Sequence, residues 1–249
     1  MKIRTRIQNL LVQYIPAKTG KYIGFLYGMG KKRTSYSQYG EDLILNSFIQ
    51  RLNLKPGKIL DIGAFHPVWY SNSYLLLKNG WTATIVDLDQ SKIDRFKTVH
   101  KKKVDTLYAA VTPTSDIPVS KVISCYKFNK LYSVFDTISK ETADHYQDQF
   151  NIQYTEEKVT SISINDIFTD RGPFDIINID IEGIDELVLN DLNLNIHRPK
   201  IILFEDNTNF GGSQKVIKRL EQFGYRHLCT TGGTIIYFLE KLLQPIEAK

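Results

Sequence analysis

The sequence predicts an α/β doubly wound, mostly parallel sheet preceded by an N-terminal basic helical arm. Three observations carry this prediction. Short apolar runs alternate with segments of helical spacing. The later runs, "FDIINIDI" and "KIILFED", are nearly uninterrupted, as expected of parallel strands covered on both faces. Nearly every run closes on an acidic residue. A chain of 249 residues suits one globular domain with an appendage.

Residues 1–35 form the predicted arm and linker. Ile3, Ile7, Leu10, Leu11 and Tyr14 fall on one helical face with Lys2, Arg4 and Arg6 beside them. Such a helix either rests on an anionic membrane surface or acidic glycolipid, giving peripheral membrane contact through residues 1–33, or docks on its own domain. Pro16, Gly20 and "GMGKKRTS" then loosen the chain.

Residues 36–249 form the predicted domain. Glu41 to Leu52 has helical spacing and ends before Pro56 and Gly57. "KILDIG" is the first strand, Ser71 to Lys78 a helix closed by Asn79 and Gly80, and "TATIVDLD" the second strand. Ser91 to His100 is a helix and "VDTLYAAV" a third strand. An insertion, 112–170, follows; in it "SCYKFN" and "VTSISIND" read as extended and Ser139 to Phe150 as helical. The fourth and fifth strands flank a helix from Asp185 to Leu192, and "GYRHLCTTGGTIIYFLE" closes as a hairpin around Gly232 and Gly233. The total is a seven-stranded sheet.

Composition excludes several classes. Eight of the 32 basic residues lie before residue 34 with no acidic residue among them, leaving 24 basic against 27 acidic side chains, a net of −3, in the remainder. That balance, and the lack of an N-P-P-[FYW] motif that would hold a flipped base, argues against nucleic acid as a partner. Cys125 and Cys229 stand in no metal-ligand spacing and suggest no disulfide framework. With no apolar run long enough to span a bilayer and no signal peptide, a cytoplasmic location is expected, peripheral at the inner face of the membrane if the arm anchors there.

In doubly wound sheets the ligand lies at the carboxyl ends of the strands. The first turn, "DIGAF", holds one glycine, too few for pyrophosphate on backbone amides, and Asp61 would repel a phosphate. S-adenosyl-L-methionine, with a sulfonium, an ammonium, a ribose diol and no phosphate, fits better. Gly63 would let the backbone approach it, and Asp87, closing the second strand, would accept from the ribose hydroxyls. Alternatively, Asp61 and Asp87 only cap loops.

"SQYGEDLIL", "DIGAFHPVWYSNSYLLLKNGW", "IVDLD", "IDIEGIDELVL" and "RPKIILFED" together resemble the FkbM methyltransferases, in family order across most of the chain from Ser37 to Glu240. The resemblance implies a Rossmann-like class I methyltransferase fold, S-adenosylmethionine as donor, and methylation of a hydroxyl, often on a sugar of a glycan, glycolipid or natural product. His66 and Pro67 stand where a second glycine is common, an "HP" variant of the motif. By the same resemblance, Asp61, Gly63, Ala64 and Phe65 would line the donor. Asp87 would hold the ribose, with Leu88 and Ala110 bordering adenine. Gln38, Tyr39 and Asp42 would fold over the cleft. Ser71 and Asn72 either cap the following helix or touch the ligand.

A sugar hydroxyl is a poor nucleophile, so a base or a metal must stabilise its developing charge. Asp180, Glu205 and Asp206, with Glu182 adjacent, form an acidic group suited to Mg2+, and the resemblance suggests that metal. The rival is metal-free catalysis with Asp180 or His66 as general base. Asp180 and Glu182 also serve, on a plainer reading, to bond the "DIEG" turn. The insertion would act as an acceptor lid, with Tyr126, Phe128, Tyr132 and Phe135 stacking on a sugar or packing in a core. A different class stays open: a Rossmann-like binding module, nicotinamide-dependent or catalytically silent.

Overall fold

The computed structural model describes residues 34–128, 133–205 and 214–243. The arm over residues 1–33, Tyr132 and Asp206 lie outside the described residues. Helix α1 (Glu41–Arg51) leads into β1 (Lys58–Ile62), α2 (Tyr74–Lys78), β2 (Thr82–Asp87), α3 (Gln90–His100) and β3 (Val104–Tyr108). The insertion region runs through β4 (Ala110–Val111), β5 (Val122–Phe128), α4 (Lys140–Phe150), β6 (Tyr154–Ile162) and α5 (Ile164–Arg171). There follow β7 (Ile176–Ile179), α6 (Asp185–Asp191), β8 (Ile201–Glu205), α7 (Gln214–Gln222) and the hairpin β9 (Tyr225–Thr231) and β10 (Thr234–Leu239).

The main sheet has the order β3-β2-β1-β7-β8-β10-β9. Strands β1, β2, β3, β7 and β8 are parallel, and β10 runs antiparallel to both β8 and β9. This is the doubly wound, mostly parallel, seven-stranded sheet that the sequence predicts. Side-chain alternation sends Leu60, Ile62, Ile177, Ile179, Ile202 and Phe204 into one apolar layer with α5, α6 and α7. Ile59, Ala83, Ile85, Ile176, Ile201 and Leu203 enter the opposite layer with α1, α2 and α3. Each of these leucine, isoleucine and phenylalanine side chains, fully buried, contributes about 1.5–3 kcal/mol.

Several helix starts follow from local chemistry. Asp89, Ser139 and Ser163 accept backbone N–H groups of Ser91, Thr142 and Asp166 and so cap α3, α4 and α5. Two boundaries differ from expectation. Helix α2 begins at Tyr74 rather than Ser71, because Tyr70 adopts a left-handed φ of 53° and Ser71 Oγ accepts from the Tyr74 N–H. The third apolar run breaks after Tyr108: Ala109 N–H bonds Asp87 O, and Ala110 and Val111 leave to pair with β6. Strands β4, β6 and β5 thus form a second sheet. Tyr126 and Phe128 are buried with Phe135, Tyr146 and Tyr154 around them, so they pack in a core rather than present faces to a sugar.

Candidate active site

The chain reverses its direction across the sheet between β1 and β7, and there a cleft of about 490 Å3 opens at the carboxyl ends of the strands. Gly63 forms its floor. Its φ is 80°, and a Cβ added there would overlap the carbonyl oxygen of Asp180. Glycine is needed so that the turns after β1 and β7 can touch, locked by Asp180 N–H to Ile62 O, while Gly63 N–H to Val86 O ties the first turn to β2.

Asp61 lies behind this floor, not on the cleft wall. It is 3% exposed; Asn178 Nδ2 donates to its Oδ1 at 2.9 Å, and Asn72 Nδ2 donates to Asn178 Oδ1 at 3.0 Å. Burial raises its pKa, and bonds from Ser73 and Asn178 oppose that shift. Ala64 is likewise buried in the core, whereas Phe65, Asn72 and Gly63 line the cleft. His66 Nδ1 accepts the N–H groups of Val68 and Trp69, closing its own turn outside the cleft lining.

At the end of β2, Asp87 lines the cleft with Leu88, Ala109 and Ala110. Asp87 Oδ1 accepts the Asp89 N–H at 2.7 Å, and Lys92 Nζ stands 3.6 Å from Oδ2, both side chains almost wholly buried. Burial outweighs Lys92 and pushes the Asp87 carboxyl up to about 6.

Gln38 and Tyr39 also line the cleft, but Asp42 does not. Its carboxylate accepts from Ser35 Oγ, Tyr36 N–H and Ser37 Oγ and shapes the segment that carries them. The Tyr39 ring lies on Gly232, where a Cβ would overlap it, and Glu41 joins Tyr39 N–H to Thr231 Oγ1.

Asp180, Glu182 and Glu205 line the cleft at the ends of β7 and β8. Enclosure raises the Asp180 pKa well above the ordinary carboxylate range although its side chain reaches solvent through the cleft; Asp185, Glu182, Glu205 and Asp61 add repulsion. One carboxylate oxygen each from Asp180, Asp185 and Glu205 lies within 4.8 Å of the others. Asp185 is fully buried, its Oδ1 accepts the Ile181 N–H, and its Oδ2 has no hydrogen-bond partner.

The family described as methyltransferase FkbM domain matches residues 61–227. The chain belongs to the FkbM methyltransferase family. This FkbM chain is therefore a methyltransferase of the class that takes its methyl group from S-adenosylmethionine. It is similar to the Bacillus cereus O-methyltransferase solved in complex with S-adenosylhomocysteine, at 14% identity over 93% of this chain and 96% of that one, with a TM-score of 0.41. It is also similar to the O-methyltransferase TomG of Streptomyces achromogenes, involved in tomaymycin synthesis and solved with S-adenosylmethionine, at 12% identity over 80% and 78%, with a TM-score of 0.40. No curated protein sequence matches the chain. Among the described residues, no helix is long and apolar enough to cross a membrane.

Lys92, Asn178, Asp136 and Ile138 are among the residues of the FkbM cleft that sequence reasoning did not single out. Lys92 sits in the first turn of an amphipathic helix, where a charge reads as solvated, and Asn178 interrupts an apolar strand, the one signal available in advance. Asp136 and Ile138 come from the insertion, whose contact with the cleft only the fold reveals.

Proposed function

We propose that this FkbM methyltransferase transfers the methyl group of S-adenosylmethionine to a hydroxyl oxygen, that of a sugar in a glycan, glycolipid or natural product. The observation that carries the reading is the charge of the cleft: among its described lining residues, Asp87, Asp136, Asp180, Glu182 and Glu205 face a single lysine. Such a wall favours a cationic sulfonium and ammonium and disfavours a pyrophosphate. The volume also suits a ligand of that size. Asp87 would accept from the ribose diol, with Leu88 and Ala110 against adenine and Gly63 and Phe65 along the methionine chain.

The reaction is an in-line displacement. The acceptor oxygen bonds the methyl carbon as the S–CH3 electron pair returns to sulfur, and the hydroxyl proton passes to a base. Asp180 is that base in the metal-free form of the reading, its high proton affinity matching it to a weakly acidic hydroxyl. Positioning supplies much of the rate. A hard cation fits the same place: Asp180, Asp185 and Glu205 would hold it, the unbonded Asp185 Oδ2 supporting that set. Bound there, it would lower the pKa of the acceptor hydroxyl.

Exposed aromatics at and near the cleft support a sugar acceptor: Tyr39 and Tyr70, 56% and 64% exposed, line it, and Trp69 adjoins Tyr70. The eight cations of residues 1–33 support a lipid-linked acceptor at a membrane surface. Calorimetric titration with S-adenosylmethionine and NAD tests the donor. Micromolar binding of the first alone is expected, and binding of NAD alone sinks the reading. A radiolabelled methyl-transfer screen over glycans and glycolipids, with and without chelator, then tests the acceptor and the cation.

A further inference from the structure

Lys92 is an unusual residue for a cationic ligand's pocket. It projects from the first turn of α3, is 6% exposed, and its ammonium stands 3.6 Å from Asp87 Oδ2 and 5.6 Å from the Phe65 ring centroid. Burying an ammonium is costly unless anions surround it. They do: Asp87 from β2, Asp89 at the cap of α3, Asp136 from the insertion and Glu182 from the turn after β7 all act on it electrostatically. Asp136 is itself fixed, its Oδ1 accepting the Phe128 N–H at 3.0 Å.

We propose that Lys92 is the positioning cation of the donor pocket: shared between Asp87 of the sheet and Asp136 of the insertion, it keeps Asp87 an anion able to accept both ribose hydroxyls. This rests on the donor reading above. Asp89 and Asp136 both repel Asp87, Asp89 also repels Asp136, and Lys92 attracts all three. Lys92 is therefore the charge that opposes protonation of Asp87. A protonated Asp87 spends one oxygen on its own proton, and the pair of hydroxyls loses an acceptor. Because Asp136 belongs to the insertion, the same ammonium also ties donor binding to the position of that segment.

The test is the pH dependence of S-adenosylhomocysteine affinity from pH 5 to 8.5, by calorimetry on the full chain. This product lacks the sulfonium, so its own charge does not change in the range of interest. Wild-type affinity is expected to fall as pH drops through about 6. Lys92→Met should move that midpoint up by a unit or more, so that binding weakens about twofold at pH 7 and approaches a tenfold loss near pH 5, below both midpoints, a unit being tenfold there. Lys92→Arg should restore the midpoint. Asp136→Asn removes a repulsive neighbour and should move it down, an opposite shift that a loss of packing does not produce. It carries the test alone if Lys92→Met fails to fold. Wild-type midpoints in both Lys92→Met and Asp136→Asn overturn the proposal while leaving the donor reading intact. Absence of binding by the wild type at every pH overturns both.

Discussion

Tyr146 of helix α4 donates its hydroxyl proton to Glu182 Oε2, two residues beyond Asp180. Glu182 has a φ of 54°, a left-handed conformation that costs a non-glycine residue about 1–3 kcal/mol. Thr137 Oγ1 also donates to Glu182 O at 3.1 Å, so two side chains of the insertion hold the turn after β7. Tyr146→Phe should lower stability by about 1.5–3 kcal/mol, the range for a bond to a charged acceptor. It should also reduce kcat about tenfold or more while donor affinity stays near wild type. Urea melts and titration separate the two effects, and an unchanged kcat would detach the insertion from catalysis.

Gly63→Ala meets two penalties at once, a positive φ and overlap with Asp180 O. Neither neighbour can yield, since both are strand-end backbone locked by hydrogen bonds. We expect a loss of 3 kcal/mol or more, from the sum of strain and overpacking, read as a drop in melting temperature. A melting temperature near wild type would show that the β1 and β7 turns separate more easily than their bonding suggests.

At Gly232 the obstacle is a side chain, so the outcome is different. Gly232→Ala should push the Tyr39 ring off its seat at a cost of about 1 kcal/mol from the φ of 55° alone. In Gly232→Ala with Tyr39→Ala the clash is gone, and the two losses should fail to add by 0.5 kcal/mol or more in a double-mutant cycle. Simple additivity would place the ring elsewhere in solution.

Asp87 makes stability depend on pH in a definite direction. Its folded-state pKa is raised from 3.8 to about 6, so the native state binds this proton more tightly than the unfolded chain does. Its contribution is therefore most favourable below pH 4 and declines as pH rises from about 4 to 6. The decline is about 3 kcal/mol at one pKa unit per 1.36 kcal/mol. Asp87→Asn cannot titrate, so its stability relative to wild type should improve by up to that amount between pH 4 and pH 7. Equal differences at both pH values, measured by urea denaturation, would contradict the raised pKa. The same variant should lose S-adenosylmethionine.

Strand-end residues were the legible part of this protein. A side chain that closes an apolar run must emerge at the sheet edge, so Asp87, Asp180 and Glu205 could be placed at the cleft from spacing alone. The same rule mislaid Asp61, because alternation along β1 turns it toward α2 instead of outward, a one-residue matter that apolar runs do not fix. Asp185 read as an ordinary first-turn helix acid; its burial beside Asp180 depends on how α6 docks on the sheet. Lys92 and Asp136 line one cleft from segments that sequence spacing does not relate.

The bond from Thr231 to Glu41 spans 190 residues. A chain emerging from a ribosome can fold α1, pair β1 with β2 and join Tyr36 O to the Ser71 N–H early, yet Tyr39 gains its seat on Gly232, and Glu41 its bond from Thr231, only when the β9–β10 hairpin has been made. The final seating of the cleft wall that carries Tyr39 is thus among the last steps in assembling the domain, and it depends on a contact of high loop-closure cost. Translation that stalls before the final hairpin leaves the ends of β1 and β2 formed and one side of the cleft without its closing contacts.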